Sequence, residues 1–175
     1  HPMFVITGCM KLIIAWNGWH VKRVYNYLNT VQPLERGYME INISQEQGSV
    51  PVTVIQVTGQ LDGQTYQKLI TSAQEVIKEG AKNILLDLSE LTFISSAGLV
   101  SLHVIALLLR GEAIPDLDQG WAALKSVNKS RESGVQKHVK LLNPREEVVN
   151  VLDMVGFSSF FEVFKDKQKA LESFS

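Results

Sequence analysis

The most constraining feature of this chain is a short apolar strand that leads, through two adjacent serines, into a long apolar helix. Residues 84–88 are apolar apart from one aspartate, which predicts a buried central strand. Ser95 and Ser96 follow after a further six residues, and residues 97–110 are almost wholly apolar. A buried strand beside a buried helix requires a layered α/β domain, and it places the serines at a helix N-terminus.

The position of the serines suggests a chemistry. Unpaired backbone N–H groups and the helix dipole favour an added negative charge at a helix N-terminus. One serine of the pair also has a structural role available, since a capping hydroxyl stabilises a helix by about 1 kcal/mol. No base, metal ligand or cofactor motif adjoins the serines in the sequence. The pattern therefore favours a serine that receives a phosphate over a catalytic nucleophile.

Composition and motifs argue against several classes of function. The net charge of the 175 residues is −1, which gives nucleic-acid binding no support. The single cysteine excludes an intrachain disulfide framework. Dinucleotide and P-loop fingerprints are missing, and the histidines lack metal-ligand spacing. We therefore predict no metal, no cofactor and no nucleic-acid partner.

The N-terminal part of the chain differs from the rest. Residues 1–38 carry a net charge of +3 and residues 39–175 a net charge of −4. The apolar stretch at 3–16 contains Lys11 and is shorter than the roughly 20 residues that span a bilayer, so we predict no membrane association and a cytoplasmic location. Residues 1–38 are either an accessory element or lie outside the natural reading frame, with Met39 as the true start. We favour the second interpretation.

From Met39 the sequence pattern predicts the order β-β-α-β-α, an insert, and then β-α-β-α. The predicted strands are 40–47, 50–58, 84–88, 138–142 and 160–164. The predicted helices lie at 66–77, at 97–110, after an Asn143-Pro144 cap, and after Asp166, which caps the last helix. The polar segment at about 111–134 is the insert. This alternation predicts a mixed sheet of about four to five strands with helices packed on it.

Four segments of residues 39–175 resemble the STAS domain of bacterial anti-sigma factor antagonists. They are the two strands from Met39, the turn at 59–62, the serine segment at 87–99, and residues 142–157. The serine segment is specific and the others are supportive. The resemblance implies an α/β fold of the STAS (SpoIIaa-like) type, and residues 1–38 have no counterpart in it.

The resemblance also implies a phosphorylation-controlled partner switch. Ser96 matches the serine that an anti-sigma factor, itself a serine kinase, phosphorylates in such proteins. The unphosphorylated form binds the anti-sigma factor and frees a sigma factor, and a phosphatase resets the switch. The implied partner-binding residues are Asp62, Ser95, Ser96, Ala97 and Gly98, and self-association is a further open expectation.

Two features depart from the family pattern, and several alternatives stay open. Ser95 stands where many members carry aspartate, which makes it the second candidate phosphoacceptor, and the insert at 111–134 is unusually long. Asp62 has the alternative of capping the helix through Tyr66. Alternative functions are a non-switching STAS scaffold, a subunit of a stress-signalling assembly, and a hydrolase with Ser96 as nucleophile. The hydrolase requires a base within hydrogen-bond reach of the serine.

Overall fold

A six-stranded mixed sheet with helices packed against it is the framework of the computed structural model, which describes residues 38–114 and 134–175. The strands are β1 (Met39–Gln47), β2 (Pro51–Leu61), β3 (Ile84–Asp87), β4 (Leu91–Ile94), β5 (Val139–Leu142) and β6 (Val163–Phe164). The helices are α1 (Tyr66–Lys78), α2 (Ser96–Leu109), α3 (Glu146–Met154) and α4 (Lys167–Glu172), with a 3₁₀ turn at Phe157–Ser159. The predicted N-terminal segment, except for Tyr38, and most of the predicted insert lie outside the described residues, so both stay predictions.

Strand β2 organises the sheet because three other strands pair with it. Its first edge carries β1, antiparallel, from Met39 opposite Gly59 to Gln47 opposite Pro51. Its second edge is shared by two parallel strands: β3 pairs with its first half and β4 with its last three residues. Strands β5 and β6 continue the sheet beyond β3, again in parallel. The β-branched residues of β2 suit this central position.

The larger core lies between one face of the sheet and helices α1, α2 and α3. Ile55, Val57 and Leu61 of β2 alternate into this core, as the period of two along a strand requires. Helix α2 is buried continuously over residues 98–107, which explains why its sequence is apolar on every side. The long apolar run in the sequence is therefore a core helix.

A smaller core covers half of the opposite face. Val52 and Val54 of β2 pack there with residues of helix α4. Lys140, buried on β5, secures that helix by donating hydrogen bonds to the Ser173 carbonyl at 3.0 Å and its hydroxyl at 2.9 Å. Its ammonium also pairs with Glu162 at 2.6 Å. Helix α4 thus covers the first half of β2 on this face.

The predicted α/β fold with a mixed sheet is confirmed, with a sixth strand beyond the expected number. That strand is β4, where Leu91 and Ile94 are buried while Thr92 and Phe93 are exposed. The burial pattern does not alternate because the register with β2 shifts between Gly59 and Gln60. A sequence pattern with a period of two therefore does not mark this strand.

Strand β2 extends three residues beyond its predicted end at residue 58, and two predictions in the C-terminal part of the chain also differ from the structure. The strand expected at 160–164 is reduced to Val163–Phe164, because Phe160 and Phe161 follow the 3₁₀ turn into the core. Asn143 does not cap α3: it adopts φ of 48° and its N–H donates to the Phe164 carbonyl at 2.6 Å. Arg145 takes the capping position instead. Asp166 caps α4 as predicted, with its carboxylate accepting from the Lys169 N–H at 2.8 Å.

We expect Gly98→Ala to destabilise the fold. A Cβ at this position would lie 2.5 Å from the Leu61 carbonyl oxygen and 2.8 Å from Ile94 Cγ1. Alanine ordinarily favours a helix over glycine by about 1 kcal/mol, but forcing atoms into a packed core costs about 1–3 kcal/mol. The clash is with backbone, so we expect a net loss of about 1–2 kcal/mol in urea unfolding.

The matched control is Gly63→Ala, because a Cβ there meets no atom within 4 Å. We expect its free energy of unfolding to stay within about 0.5 kcal/mol of wild type. Equal stability of the two variants would contradict the close approach of Leu61 and Gly98.

A second prediction concerns pH. His103 on α2 is fully buried, with its ring 5.9 Å from that of Phe160. Burial lowers the pKa of His103 from 6.5 to about 4, and the charge of Arg110 acts in the same direction. The unfolded chain therefore binds a proton between pH 6.5 and 4 that the folded chain excludes.

His103 thus contributes stability that is present above pH 6.5 and is lost as the pH falls toward 4, by about 3 kcal/mol in total. Urea unfolding at pH 7, 6, 5 and 4.5 measures this loss. We expect His103→Gln, which does not titrate, to lose less stability than wild type over the same range. Parallel curves for the two proteins would show that the pKa of His103 is not lowered by folding.

Candidate functional site

Ser95 joins the end of β4 to the start of α2 and is held by its backbone and its side chain. Its N–H donates to the Leu61 carbonyl at 2.9 Å, and its own carbonyl accepts from the Leu99 N–H at 2.9 Å. Its hydroxyl oxygen accepts from the Gly98 N–H at 3.3 Å, which makes it the N-cap of the helix. The capping role expected of one serine belongs to Ser95.

Ser96 is the first residue of α2, and its side chain differs from that of Ser95. Its side chain is exposed, and within residues 38–114 and 134–175 its hydroxyl makes no hydrogen bond to the protein. It lies at the positive end of the dipole of a 14-residue helix. An anion attached to this oxygen would therefore point into solvent beside unpaired N–H groups of the first turn.

Asp62 lies in the loop that follows β2 and shapes the entry into α1. Its Oδ1 accepts from the N–H groups of Gln64 at 2.9 Å and Thr65 at 3.2 Å, and from the Thr65 hydroxyl at 3.1 Å. The Asp62 carboxylate therefore stabilises the turn before α1, but the N-cap of that helix is Thr65, so the alternative that Asp62 caps it is wrong. Asp62 also directly follows Leu61, which bonds to Ser95, so the loop and the serines lie at the same end of the sheet.

The structure thus groups all five residues that the resemblance implied. Ala97 is half-buried in the first turn of α2, and Gly98 is buried against Leu61. Sequence reasoning missed Phe93, a large aromatic side chain that is 50% exposed three residues before Ser96. Its orientation depends on the shifted register of β4 with β2, and no local pattern reveals that register.

The described residues offer no other kind of site beside the serines. Within the described ranges no three His, Cys, Asp or Glu side chains come close enough together to hold a metal ion. None of the helices described is long and apolar enough to cross a membrane. Cavities of about 610 and 580 Å³ are lined by other residues, among them Asn83 and His138 in the first and Asp153 and Phe161 in the second. Neither cavity is lined by the serines.

Comparison with known proteins agrees with this geometry. The sequence model of the STAS domain matches residues 42–112. An anti-sigma factor antagonist from Mycobacterium paratuberculosis has a similar structure, with a TM-score of 0.52, 17% sequence identity, and coverage of 80% of this chain and 94% of that one. No curated protein sequence matches the chain.

Structures of the anti-sigma factor antagonist SpoIIAA also align. The unphosphorylated form gives a TM-score of 0.48 at 17% identity and covers 77% of this chain and 94% of that one. The phosphorylated Bacillus form gives 0.44 at 16% identity, with coverage of 76% and 97%. Both scores are below 0.5, so the structural assignment rests on the mycobacterial protein. Residues 42–112 thus match the STAS domain, and the fold is similar to that of the mycobacterial anti-sigma factor antagonist.

Proposed function

We propose that this protein is an anti-sigma factor antagonist that works by phosphorylation-controlled partner switching. In this scheme, the unphosphorylated form binds an anti-sigma factor that is also a serine kinase, and a sigma factor is thereby released. Phosphorylation of Ser96 ends the binding, and a phosphatase restores it. The protein is then a bacterial, cytoplasmic phosphoprotein. The observation that carries the proposal is the exposed Ser96 hydroxyl at the N-terminus of a buried helix.

The difference between the two serines supports Ser96 as the phosphoacceptor. The Ser95 hydroxyl is half-buried and occupied by the Gly98 N–H, so a kinase would have to break the helix cap to reach it. The Ser96 hydroxyl is exposed and has no such bond among the described residues. Transfer of a phosphate to Ser96 leaves the cap of α2 in place.

The electrostatics of the site suit a switch that acts on binding and leaves the fold intact. A phosphate adds about −1.5 to −2 charges at pH 7. The positive end of the α2 dipole tolerates this charge in the free protein. In a complex, the same charge must be removed from water, which is costly unless the partner supplies a countercharge.

The alternative functions are weaker on this geometry. In the part of the chain that the structure describes, no histidine, lysine or carboxylate hydrogen-bonds to Ser96, so a base for a hydrolase is not in place. A non-switching STAS scaffold or assembly subunit uses the same fold without phosphorylation. Detection of phosphate transfer to this protein therefore distinguishes the partner switch from the non-switching scaffold.

Incubation with purified anti-sigma serine kinases of the source organism and ATP tests the acceptor. We expect mass spectrometry to locate one phosphate on Ser96. Ser96→Ala should abolish the modification, while Ser95→Ala should retain it and lose about 1 kcal/mol of stability with the helix cap. Phosphate on Ser95 of the wild-type protein, or undiminished labelling of Ser96→Ala, would show that Ser96 is not the phosphoacceptor.

Binding of the same kinase tests the switch itself. We expect Ser96→Asp to weaken the complex at least tenfold, because the carboxylate must be desolvated at the interface. Its melting temperature should be unchanged or slightly raised, since an acid in the first helical turn is favourable. Ser96→Ala is the control and should bind as the wild type does. If Ser96→Asp binds the kinase as tightly as wild type, a negative charge at position 96 does not control binding and the proposed switch is wrong.

A further inference from the structure

Phe93 is oriented away from the main core by the pairing of β4 with β2. Phe93 lies opposite Gln60, and the next residue, Ile94, lies opposite Leu61. Ile94 and Leu61 are both in the main core. Because neighbours along a strand point to opposite faces, Phe93 and Gln60 face the other side of the sheet.

Near the serines, none of the helices in the described part of the chain covers that side of the sheet. Helix α4 covers Val52 and Val54 of β2, but farther along the same strand Gln56, Thr58 and Gln60 are only half-buried. Phe93 therefore places a half-exposed aromatic ring on a polar surface. Phe93 precedes Ser96 by three residues, so the Cα atoms of the two residues are at most about 10 Å apart.

Three acidic residues adjoin the ends of β1, β2 and β4 near this open face, and one basic residue, Arg145, pairs with one of them. Glu40 lies opposite Thr58 on β1 and is exposed, and no salt bridge with another described residue neutralises it. Glu90, just before β4, is 55% exposed at its side chain and reaches the Arg145 guanidinium at 3.4 Å. Asp62 lies in the loop beyond Leu61. A partner complementary to this surface presents an apolar pocket with basic residues around it.

We infer that Phe93 is the apolar anchor of the surface by which this protein docks onto the kinase that phosphorylates Ser96, and that it enters a basic-rimmed apolar pocket of that kinase. This inference rests on the function proposed above and names the contact that function requires. Aromatic side chains at the centre of an interface dominate binding energy, whereas the surrounding polar residues contribute little. The kinase must also hold Ser96 in its active site, which an anchor three residues away achieves.

The experiment compares Phe93→Thr with Met154→Thr. Met154, at the end of α3, is 82% exposed and provides a matched removal of an exposed apolar side chain. The probe is the purified anti-sigma serine kinase that phosphorylates the wild-type protein. We expect Phe93→Thr to weaken binding and lower kcat/KM for Ser96 phosphorylation at least tenfold, with Met154→Thr unchanged. Phe93→Tyr keeps the ring and should stay within about threefold of wild type.

A second pair of variants tests whether the acidic residues near Phe93 contribute to docking. This test does not depend on whether Phe93→Thr folds. Glu40→Lys should slow association with the kinase at least threefold at low salt, and added salt should diminish the difference. Glu79→Lys is its control, because Glu79 is an exposed acid at the far end of α1. Equal association rates for the two reversals would contradict a basic partner surface here.

The outcomes separate this inference from the proposed function. If Phe93→Thr folds and binds as tightly as wild type while Ser96→Asp does not bind, the anchor is wrong and the switch stands. If no anti-sigma kinase binds or phosphorylates the wild-type protein, the proposed function is wrong and the inference falls with it. Loss confined to Phe93→Thr and Glu40→Lys supports the docking surface.

Discussion

The close approach of the Leu61 carbonyl to the first turn of α2 is the contact on which the rest of the structure depends. This oxygen accepts the Ser95 N–H at 2.9 Å and occupies the space that a Cβ on residue 98 would need. It fixes where the strand stops and where the helix begins. Once that junction is fixed, Ser95 caps the helix, and the side chain of Ser96, the first residue of α2, is exposed to solvent.

Strand β2 contributes residues to the packing on both faces of the sheet. Its inward residues, such as Ile55 and Leu61, hold the sheet to the main helical layer. On its outward face, Val54 packs against α4 whereas Gln60 stays in contact with solvent. The first part of this strand is thus covered on both faces, whereas its last residues are covered fully on one face only.

The fold and the position of the serines could be predicted from sequence because the signals are local. The apolar run of α2 marks a buried helix, and a serine before such a run marks its N-terminus. The bulge that shifts β4 against β2 is a long-range pairing, so neither that strand nor the exposure of Phe93 had a local signal. Whether Ser95 or Ser96 caps the helix depends on the exact residue at which α2 begins, and hydrophobic periodicity does not determine that residue.

The turn between β3 and β4 is anchored on both sides, although it lies at the surface. The Leu91 N–H donates to the Leu88 carbonyl at 3.1 Å, Asp87 accepts from the Ser89 N–H at 3.0 Å, and Arg145 donates to the Ser89 carbonyl at 3.0 Å. Surface turns usually tolerate insertions and deletions. Here one residue more or less would exchange the inward and outward positions of β4 and rotate the serines with them. The length of this turn is therefore under stronger constraint than its composition.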